Sequence, residues 1–250
     1  MDAITISAAS GIRSRMESFE LLANNIANQA TAGYKSDREF YTLYVAPEAL
    51  VDAGVSTTSQ PQTLPVIRRQ WTDFSQGTLS TTGNSLDLAL SGEGFFVVKG
   101  PSGKLYTRNG SFHLSKGGVI VTQQGYPLLD RNNAPIQVDQ ELPLEIGTDG
   151  TVRQDGATVA KIAVAAFRDP EVLSKHAGNY FQVNSPGVSP QPARSAEVFQ
   201  GKLESANFPP AAAAVRLVGV LRQFEMLQKA VRLNSEMNNK TIQEVARVGS

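Results

Sequence analysis

The side chains that could carry acid–base or metal chemistry are few and scattered in this sequence of 250 residues. Only two histidines occur, His113 in a segment of alternating apolar and polar residues and His176 in the polar stretch SKHAGN. A lone histidine in such a setting is usually an ordinary surface residue. No H-E-x-x-H, G-x-S-x-G or P-loop pattern occurs, so the sequence lacks the motifs of zinc peptidases, serine hydrolases and nucleotide-binding proteins. The sequence therefore predicts no enzyme, no catalytic residue, no metal site and no cofactor.

Three short motifs resemble binding loops but fit simpler structures. Ser91–Phe96 (SGEGFF) contains G-x-G without a third glycine, and it opens a strand where phosphate loops open a helix. Thr148–Gly156 has acids and glycines but not the alternating oxygen ligands of a calcium loop, so hairpin turns explain it better. Arg68 and Arg69 beside Trp71 could stack on a base, yet two charges in a neutral chain usually mark a solvated strand face.

Composition and charge exclude further classes. The 23 basic residues cancel the 23 acidic ones, so no net charge attracts nucleic acid or an anionic membrane. Cysteine is absent, which removes disulfides and cysteine metal sites. No stretch reaches the roughly 18 apolar residues of a membrane span. The first residues lack the basic and apolar regions of a cleaved signal peptide.

Apolar periodicity predicts a long amphipathic helix near each end of the sequence. The first, of about 25 residues, carries a stripe with spacings of three and four: Ala8, Ile12, Met16, Phe19, Ala23, Ile26 and Ala30. We expect Gly33 to end this helix in a left-handed conformation. The second helix begins near Pro209 and Pro210 and extends for about 35 residues. Because it is the longer of the two, part of its apolar stripe stays uncovered, which indicates assembly with another molecule.

The first helix also carries three asparagines, Asn24, Asn25 and Asn28, although asparagine is a poor residue for a helix interior. They could simply be solvated residues at a fraying helix end. In an assembling coiled coil, however, a polar amide at the seam penalises the wrong register and partner number. We expect these amides to bond to neighbouring helices. The complete predicted subunit interface consists of Ile12, Met16, Phe19, Ala23, Asn24, Asn25, Ile26, Asn28, Leu217, Leu221, Phe224, Leu227 and Val231.

The middle of the chain predicts antiparallel β-structure. Apolar and polar residues alternate between the turn sequences GPSG (100–103), KGG (116–118) and QG (124–125), and Asn109-Gly110 is a hairpin signal. Further strands are expected at Val159–Phe167 and near Tyr180.

The predicted fold class is therefore α+β, with long N- and C-terminal α-helices forming a coiled coil and a central, mostly antiparallel β domain. We expect four segments. They are 1–35 (N-terminal coiled-coil helix), 36–76 (extended linker region), 77–200 (central β domain) and 201–250 (C-terminal coiled-coil helix).

Three segments of the sequence resemble the bacterial flagellar basal-body rod and hook protein family. Ala23–Ser36 (ANNIANQATAGYKS) is similar to its signature A-N-N-(I/L)-A-N-x-x-T-x-G-(Y/F)-K. Gly77–Val98 is similar to its T-G-N-x-L-D-L-A segment, and LESANFPP, which begins at Leu203, to its L-E-x-S-N-V motif. Ala206 and Phe208 depart from that last motif. The chain looks most like the proximal rod type, a close relative of the distal rod type.

The resemblance implies a structural protein that polymerises through its terminal helices into the axial drive shaft and transmits torque for motility. It implies coiled-coil helices lining a tube, with the β domain outside. The implied location is the periplasmic rod of the basal body, reached through the flagellar type III export apparatus without a cleaved signal peptide. The implied partners are copies of the chain and related axial proteins, with no nucleic acid or small-molecule substrate. The alternatives are a distal rod or hook-type subunit, or a secreted enzyme or adhesin with a β domain.

Overall fold

The structure of the protein is a computed structural model that describes residues 3–45, 63–184, 187–193 and 195–248. A helix lies at each end of this chain, α1 at Ala3–Ala27 and α2 at Pro210–Val248. The region between the helices is built mainly of short strands in antiparallel pairs. This arrangement confirms the predicted α+β class with a mostly antiparallel β region.

Seventeen strands are found between the two helices in the described ranges. In chain order they are β1 (Asp37–Val45), β2 (Thr63–Thr72), β3 (Leu79–Thr81), β4 (Leu88–Ser91), β5 (Phe95–Gly100), β6 (Gly103–Thr107), β7 (Phe112–Leu114), β8 (Ile120–Thr122), β9 (Leu144–Ile146), β10 (Thr151–Gln154), β11 (Ala157–Lys161), β12 (Val164–Ala166), β13 (Leu173–His176), β14 (Tyr180–Val183), β15 (Gln191–Pro192), β16 (Glu197–Gln200) and β17 (Lys202–Glu204).

The chain divides into two compact units. The helical unit comprises Met1–Ala27, Asp37–Trp71 and Pro209–Ser250, and the β unit comprises Asn28–Ser36 and Thr72–Phe208. The short segment 28–36, which follows α1 directly, therefore belongs to the β unit.

In the helical unit, α1 and α2 pack against each other. At Gly11 of α1 an added Cβ would lie 3.3 Å from Cδ1 of Leu227 on α2, so the missing side chain lets the two helices come close. The same unit contains β1 and β2, which form a two-stranded sheet. Thus part of the expected linker region consists of paired strands, while its residues 46–62 lie outside the described chain.

Arg216 on α2 forms an ion pair with Glu39 on β1, whose side chain is fully buried. This contact fastens the small sheet to the long helix within the helical unit.

The largest sheet of the β unit has six strands in the order β13-β14-β6-β5-β12-β15. The main core cluster of the β unit consists of buried apolar residues, several of which alternate with polar residues along the strands. Its members are Leu88, Leu90, Phe96, Val98, Leu105, Phe112, Ile120, Leu128, Ile136, Val138, Ile146, Val152, Ile162, Tyr180 and Val198. A second cluster is aromatic, with Phe95 in edge-to-face contact with Phe167 and Phe181.

Most predicted turns are hairpin turns in the structure. Residues 100–103 join β5 to β6, residues 116–118 join β7 to β8, and Gly150 and Gly156 lie in the turns that join β9, β10 and β11. The hairpin interpretation of the acidic, glycine-rich segment 148–156 is therefore confirmed.

The hairpin expected at Asn109-Gly110 is wrong. The strands on either side belong to different sheets, since β6 pairs with β5 and β14 whereas β7 pairs with β8. Gly110 instead lies against the backbone of Leu88, whose N–H donates to the Gly110 carbonyl at 2.9 Å. A Cβ at Gly110 would lie only 1.6 Å from the Leu88 carbonyl oxygen. Glycine is needed here for backbone approach and not for a tight turn.

Gly33 adopts the left-handed conformation predicted for it, with φ of 65°. The helix, however, ends earlier, at Ala27. Between the two positions the chain forms a turn in which the Thr31 N–H donates to the Asn28 carbonyl at 3.0 Å. Periodicity alone extended the helix too far because the apolar Ala30 falls on the helical period by coincidence.

Candidate assembly interface

Helix α1 has two distinct faces. Its buried face is made largely of small and polar residues, and these recur at helical spacing: Gly11, Ser14, Ser18, Leu22 and Asn25. The predicted apolar stripe is turned by roughly a third of a turn from this face. On that stripe Met16 is 51% exposed and Phe19 is 38% exposed. The apolar residues that periodicity identified are thus largely left on the surface.

The small residues on the buried face of α1 explain this arrangement. Gly11 and the two serines leave room for the side chains of a neighbouring element, as the approach of Leu227 shows. The Ser18 hydroxyl donates to the Ser14 carbonyl at 3.0 Å, so its polar atom is satisfied while fully buried. A close approach of this kind buries backbone and small side chains together with Leu21 and Leu22.

Helix α2 also has two apolar faces, and sequence periodicity found only one. The predicted residues Leu217, Phe224, Leu227 and Val231 are half-buried, and Ala213 and Val220 beside them are buried. Roughly opposite this face, within about 40° of one another at 3.6 residues per turn, lies a second set of residues that are between 49% and 75% exposed. This exposed stripe consists of Val215, Met226, Leu233 and Met237.

The exposed stripe was missed because its members are far apart in the sequence. Successive members are separated by eleven, seven and four residues, which returns each one to the same side of a helix. Arg222, Lys229 and Glu236 interrupt it with charges when the sequence is read linearly. A search for eleven- and seven-residue spacings would have found it.

A groove with apolar walls runs along the helical unit between the two predicted stripes. It is lined by Arg15, Met16, Phe19, Glu20, Val220, Leu221 and Phe224. Leu221 on its rim is 42% exposed. Four of the predicted interface residues, Met16, Phe19, Leu221 and Phe224, are therefore brought together on one open surface.

The three asparagines of α1 occupy different environments. Asn25 is buried, and its side chain bonds twice to the backbone of Asp37: it donates to the carbonyl at 2.9 Å and accepts from the N–H at 3.1 Å. Asn28 accepts from the Thr31 hydroxyl at 3.4 Å. Asn24 is exposed. The Asn25 amide thus connects α1 to the start of β1 within a single chain, whereas the sequence predicts bonds to neighbouring helices.

Other predicted interface residues are intermediate in exposure, as expected at the edge of a covered face. These are Ile12, Ala23 and Ile26.

The structure brings no catalytic constellation together in its described part. His113 and His176 are both exposed. Among the residues described, no group of three His, Asp or Glu side chains is placed to hold a metal ion. Neither helix of the described chain combines the length and apolar character that crossing a membrane requires. On the two helices, the groove and the exposed stripes are open apolar surfaces.

Part of the β unit matches a known protein family. Residues 89–154 match the domain family described as the flagellar hook protein FlgE/F/G D1 domain. Over 230 residues the chain is 31% identical to the flagellar basal-body rod protein FlgF of Caulobacter vibrioides, covering 92% of each chain. It is 29% identical over 243 residues to FlgF of Mesorhizobium japonicum, covering 96% of this chain and 95% of the relative.

The chain is similar to a comparable degree to a rod protein with a different name, FlgG. The chain is 28% identical over 253 residues to the flagellar basal-body rod protein FlgG of Buchnera aphidicola subsp. Schizaphis graminum, covering 93% of this chain and 96% of that protein. The chain belongs to the flagellar basal-body rod protein family. This is a family of structural proteins and not of enzymes.

Proposed function

We propose that the chain is a structural subunit of the bacterial flagellar basal-body rod, of the proximal type, which self-assembles through its terminal helices into the axial drive shaft that transmits torque. The observation that carries this proposal is the apolar surface left open on both helices. Exposed apolar stripes of this extent on a folded chain are typical of an interface with another protein.

The two helices can serve different contacts in the rod. The buried faces of α1 and α2 hold the helices of one subunit together as a coiled-coil pair. The groove around Phe19 and Leu221 and the exposed stripe of α2 are then available for the helices of adjacent subunits. The predicted interface residues fit this scheme, with Met16, Phe19 and Leu221 between subunits and Leu227 and Val231 within one.

Membership of the rod family supports our proposal for the location and delivery of the subunit. We place the assembled subunit in the periplasmic rod of the basal body, exported through the flagellar type III apparatus without a cleaved signal peptide. Its partners are copies of itself and related axial subunits. Similarity to the relatives named FlgF and FlgG supports a rod subunit over a secreted enzyme or adhesin.

The proposal is tested by placing charge on the exposed stripe of α2. The double variant Met226→Glu/Leu233→Glu changes two side chains that are 63% and 49% exposed, so the fold should persist. Buried at a subunit contact, two carboxylates without partners carry a large desolvation penalty. We expect concentration-dependent polymerisation, measured by sedimentation and electron microscopy, to be lost, and motility of a deletion strain not to be restored.

A matched control carries the same added charge at positions of the helix outside the exposed stripe. Gln223→Glu/Gln228→Glu adds two carboxylates at exposed polar positions of α2 and should assemble and restore motility. Normal polymerisation of the stripe variant, with a fold shown intact by circular dichroism, would refute an assembly role for this surface.

A further inference from the structure

Three charged side chains are buried together in the β unit. Lys35 and Glu204 are 0% exposed, and Arg108 is almost fully buried. The Lys35 Nζ donates to Glu204 Oε1 at 2.6 Å, and Arg108 Nη1 donates to Glu204 Oε2 at 3.2 Å. One carboxylate thus bridges two cations that lie far apart in the sequence.

Backbone groups take up most of the remaining hydrogen-bonding capacity of the cluster, although the buried Nε of Arg108 has no hydrogen-bond partner in the described part of the chain. Lys35 Nζ donates to the Ser75 carbonyl at 2.7 Å, and the Gly77 N–H donates to Glu204 Oε1 at 2.8 Å. Arg108 Nη2 donates to the Gly92 carbonyl at 2.6 Å. Buried charges are tolerated only when they are paired and hydrogen-bonded in this way.

Backbone bonds surround the charged cluster and join the same segments. The Gly33 N–H donates to the Glu204 carbonyl at 2.7 Å, and the Ser36 N–H donates to Asn207 Oδ1 at 2.8 Å. The Asn207 side chain also donates to the Asp73 carbonyl at 2.6 Å. The segment that follows α1 in the chain is therefore fastened to the segment that precedes α2.

Because the cluster is buried, its net contribution to the free energy of unfolding is small. Desolvation lowers the pKa of Lys35 although Glu204 next to it acts in the opposite direction. A buried ion pair often contributes little compared with apolar residues of the same volume, whereas removing one partner is strongly destabilising because it leaves a buried charge uncompensated. Such a cluster instead favours one arrangement of its segments over all others.

The two sides of the cluster differ in how they are anchored. The Arg108 guanidinium lies 5.4 Å from the centre of the Phe95 ring, which belongs to the aromatic core cluster. Lys35 and Glu204 are held by the polar contacts described above, and Tyr34 next to Lys35 is also buried. Proteins also open locally, in units smaller than the whole fold, and a segment held mainly by polar contacts can form such a unit.

We propose that Lys35, Glu204 and Arg108 form a clasp that opens and closes without unfolding of the β core, and that fastens the chain segments 33–36 and 204–207 to each other. Its two halves are 169 residues apart in the sequence, so the clasp joins two distant segments of the chain. It is a conformational device of the single chain and needs no second subunit. When it opens, the segments leading out of α1 and into α2 are released from their common anchor.

The test is hydrogen exchange at the amides that the clasp protects, those of Gly33, Ser36 and Asn207. In Glu204→Gln the two cations lose their counter-charge, and we expect protection at these amides to fall by about 100-fold. Amides of the β core, such as Leu128 and Ile136, should change by less than about threefold because opening is local. The control is Asp149→Asn, which removes a solvent-exposed partner of Lys161 and should change neither set.

Two further measurements, on a second variant and on the unmodified protein, also test the proposal. Lys35→Met/Glu204→Gln removes one of the two uncompensated cations, so clasp amides should be better protected than in Glu204→Gln alone. In the unmodified protein, the exchange rate of these amides should depend less on denaturant concentration than the exchange rate of the core amides. Equal loss of protection at clasp and core amides, or no effect of Glu204→Gln, would overturn the proposal.

Discussion

At the scale of single residues, Gly33 shows how one position meets two constraints. Its φ of 65° lies in the left-handed region. Its Cα also lies so near another segment of the same chain that an added Cβ would be 2.2 Å from the Arg108 carbonyl carbon. The first constraint was predictable from the sequence, because glycine after a helix commonly takes this conformation. The second was not, since Arg108 is distant in sequence and only the folded chain brings it close.

The two constraints can be separated by substitution. Gly33→Ala should destabilise the protein by about 3 kcal/mol or more, combining left-handed strain with a backbone clash. Gly83→Ala is the matched control, since Gly83 has φ of 76° but nothing within 4 Å of an added Cβ, and it should cost about 1 kcal/mol. Urea unfolding of both variants measures the difference. Equal effects would mean that the contact with Arg108 relaxes without cost.

At the scale of elements, periodicity predicted both helices but not the faces with which they pack. The apolar stripe of α1 was visible in the sequence, yet the face that the fold buries includes Gly11, Ser14 and Ser18. Small and polar residues give no hydrophobic signal, so a search for apolar spacing selects the outer stripe. The strands were predictable where alternation is regular. The pairing of β6 and β7 was not, since sheet partners depend on distant segments.

The bonds of Asn25 give a prediction that belongs to the junction of α1 and β1. Asn25→Ala removes both side-chain bonds to the Asp37 backbone and should destabilise the monomer by about 1–3 kcal/mol. Gln29→Ala, four positions later and exposed, should change stability by less than about 0.5 kcal/mol. Chemical unfolding of dilute monomer distinguishes them. If Asn25→Ala leaves the monomer unchanged but weakens assembly, the amide acts between subunits, as the sequence first indicated.

At the scale of the whole molecule, the chain combines zero net charge with exposed apolar stripes at both ends. Its 23 basic and 23 acidic residues balance, so copies of the chain experience little long-range repulsion. The long helices and the β unit were each predictable from local patterns. The contact between Lys35 and Glu204 was not, because a lysine and a glutamate so far apart in sequence resemble ordinary surface charges until the fold buries them.

This combination predicts how polymerisation depends on salt. If apolar stripes drive assembly, raising sodium chloride from about 0.05 to about 0.5 M should change the critical concentration by less than about threefold, because little net charge is screened. Ammonium sulfate should lower it, since sulfate strengthens apolar burial. Sedimentation across a concentration series at each salt gives the measurement. A critical concentration that rises tenfold or more with sodium chloride would show instead that ion pairs between subunits, such as those available to Arg222 and Glu236 on α2, hold the polymer together.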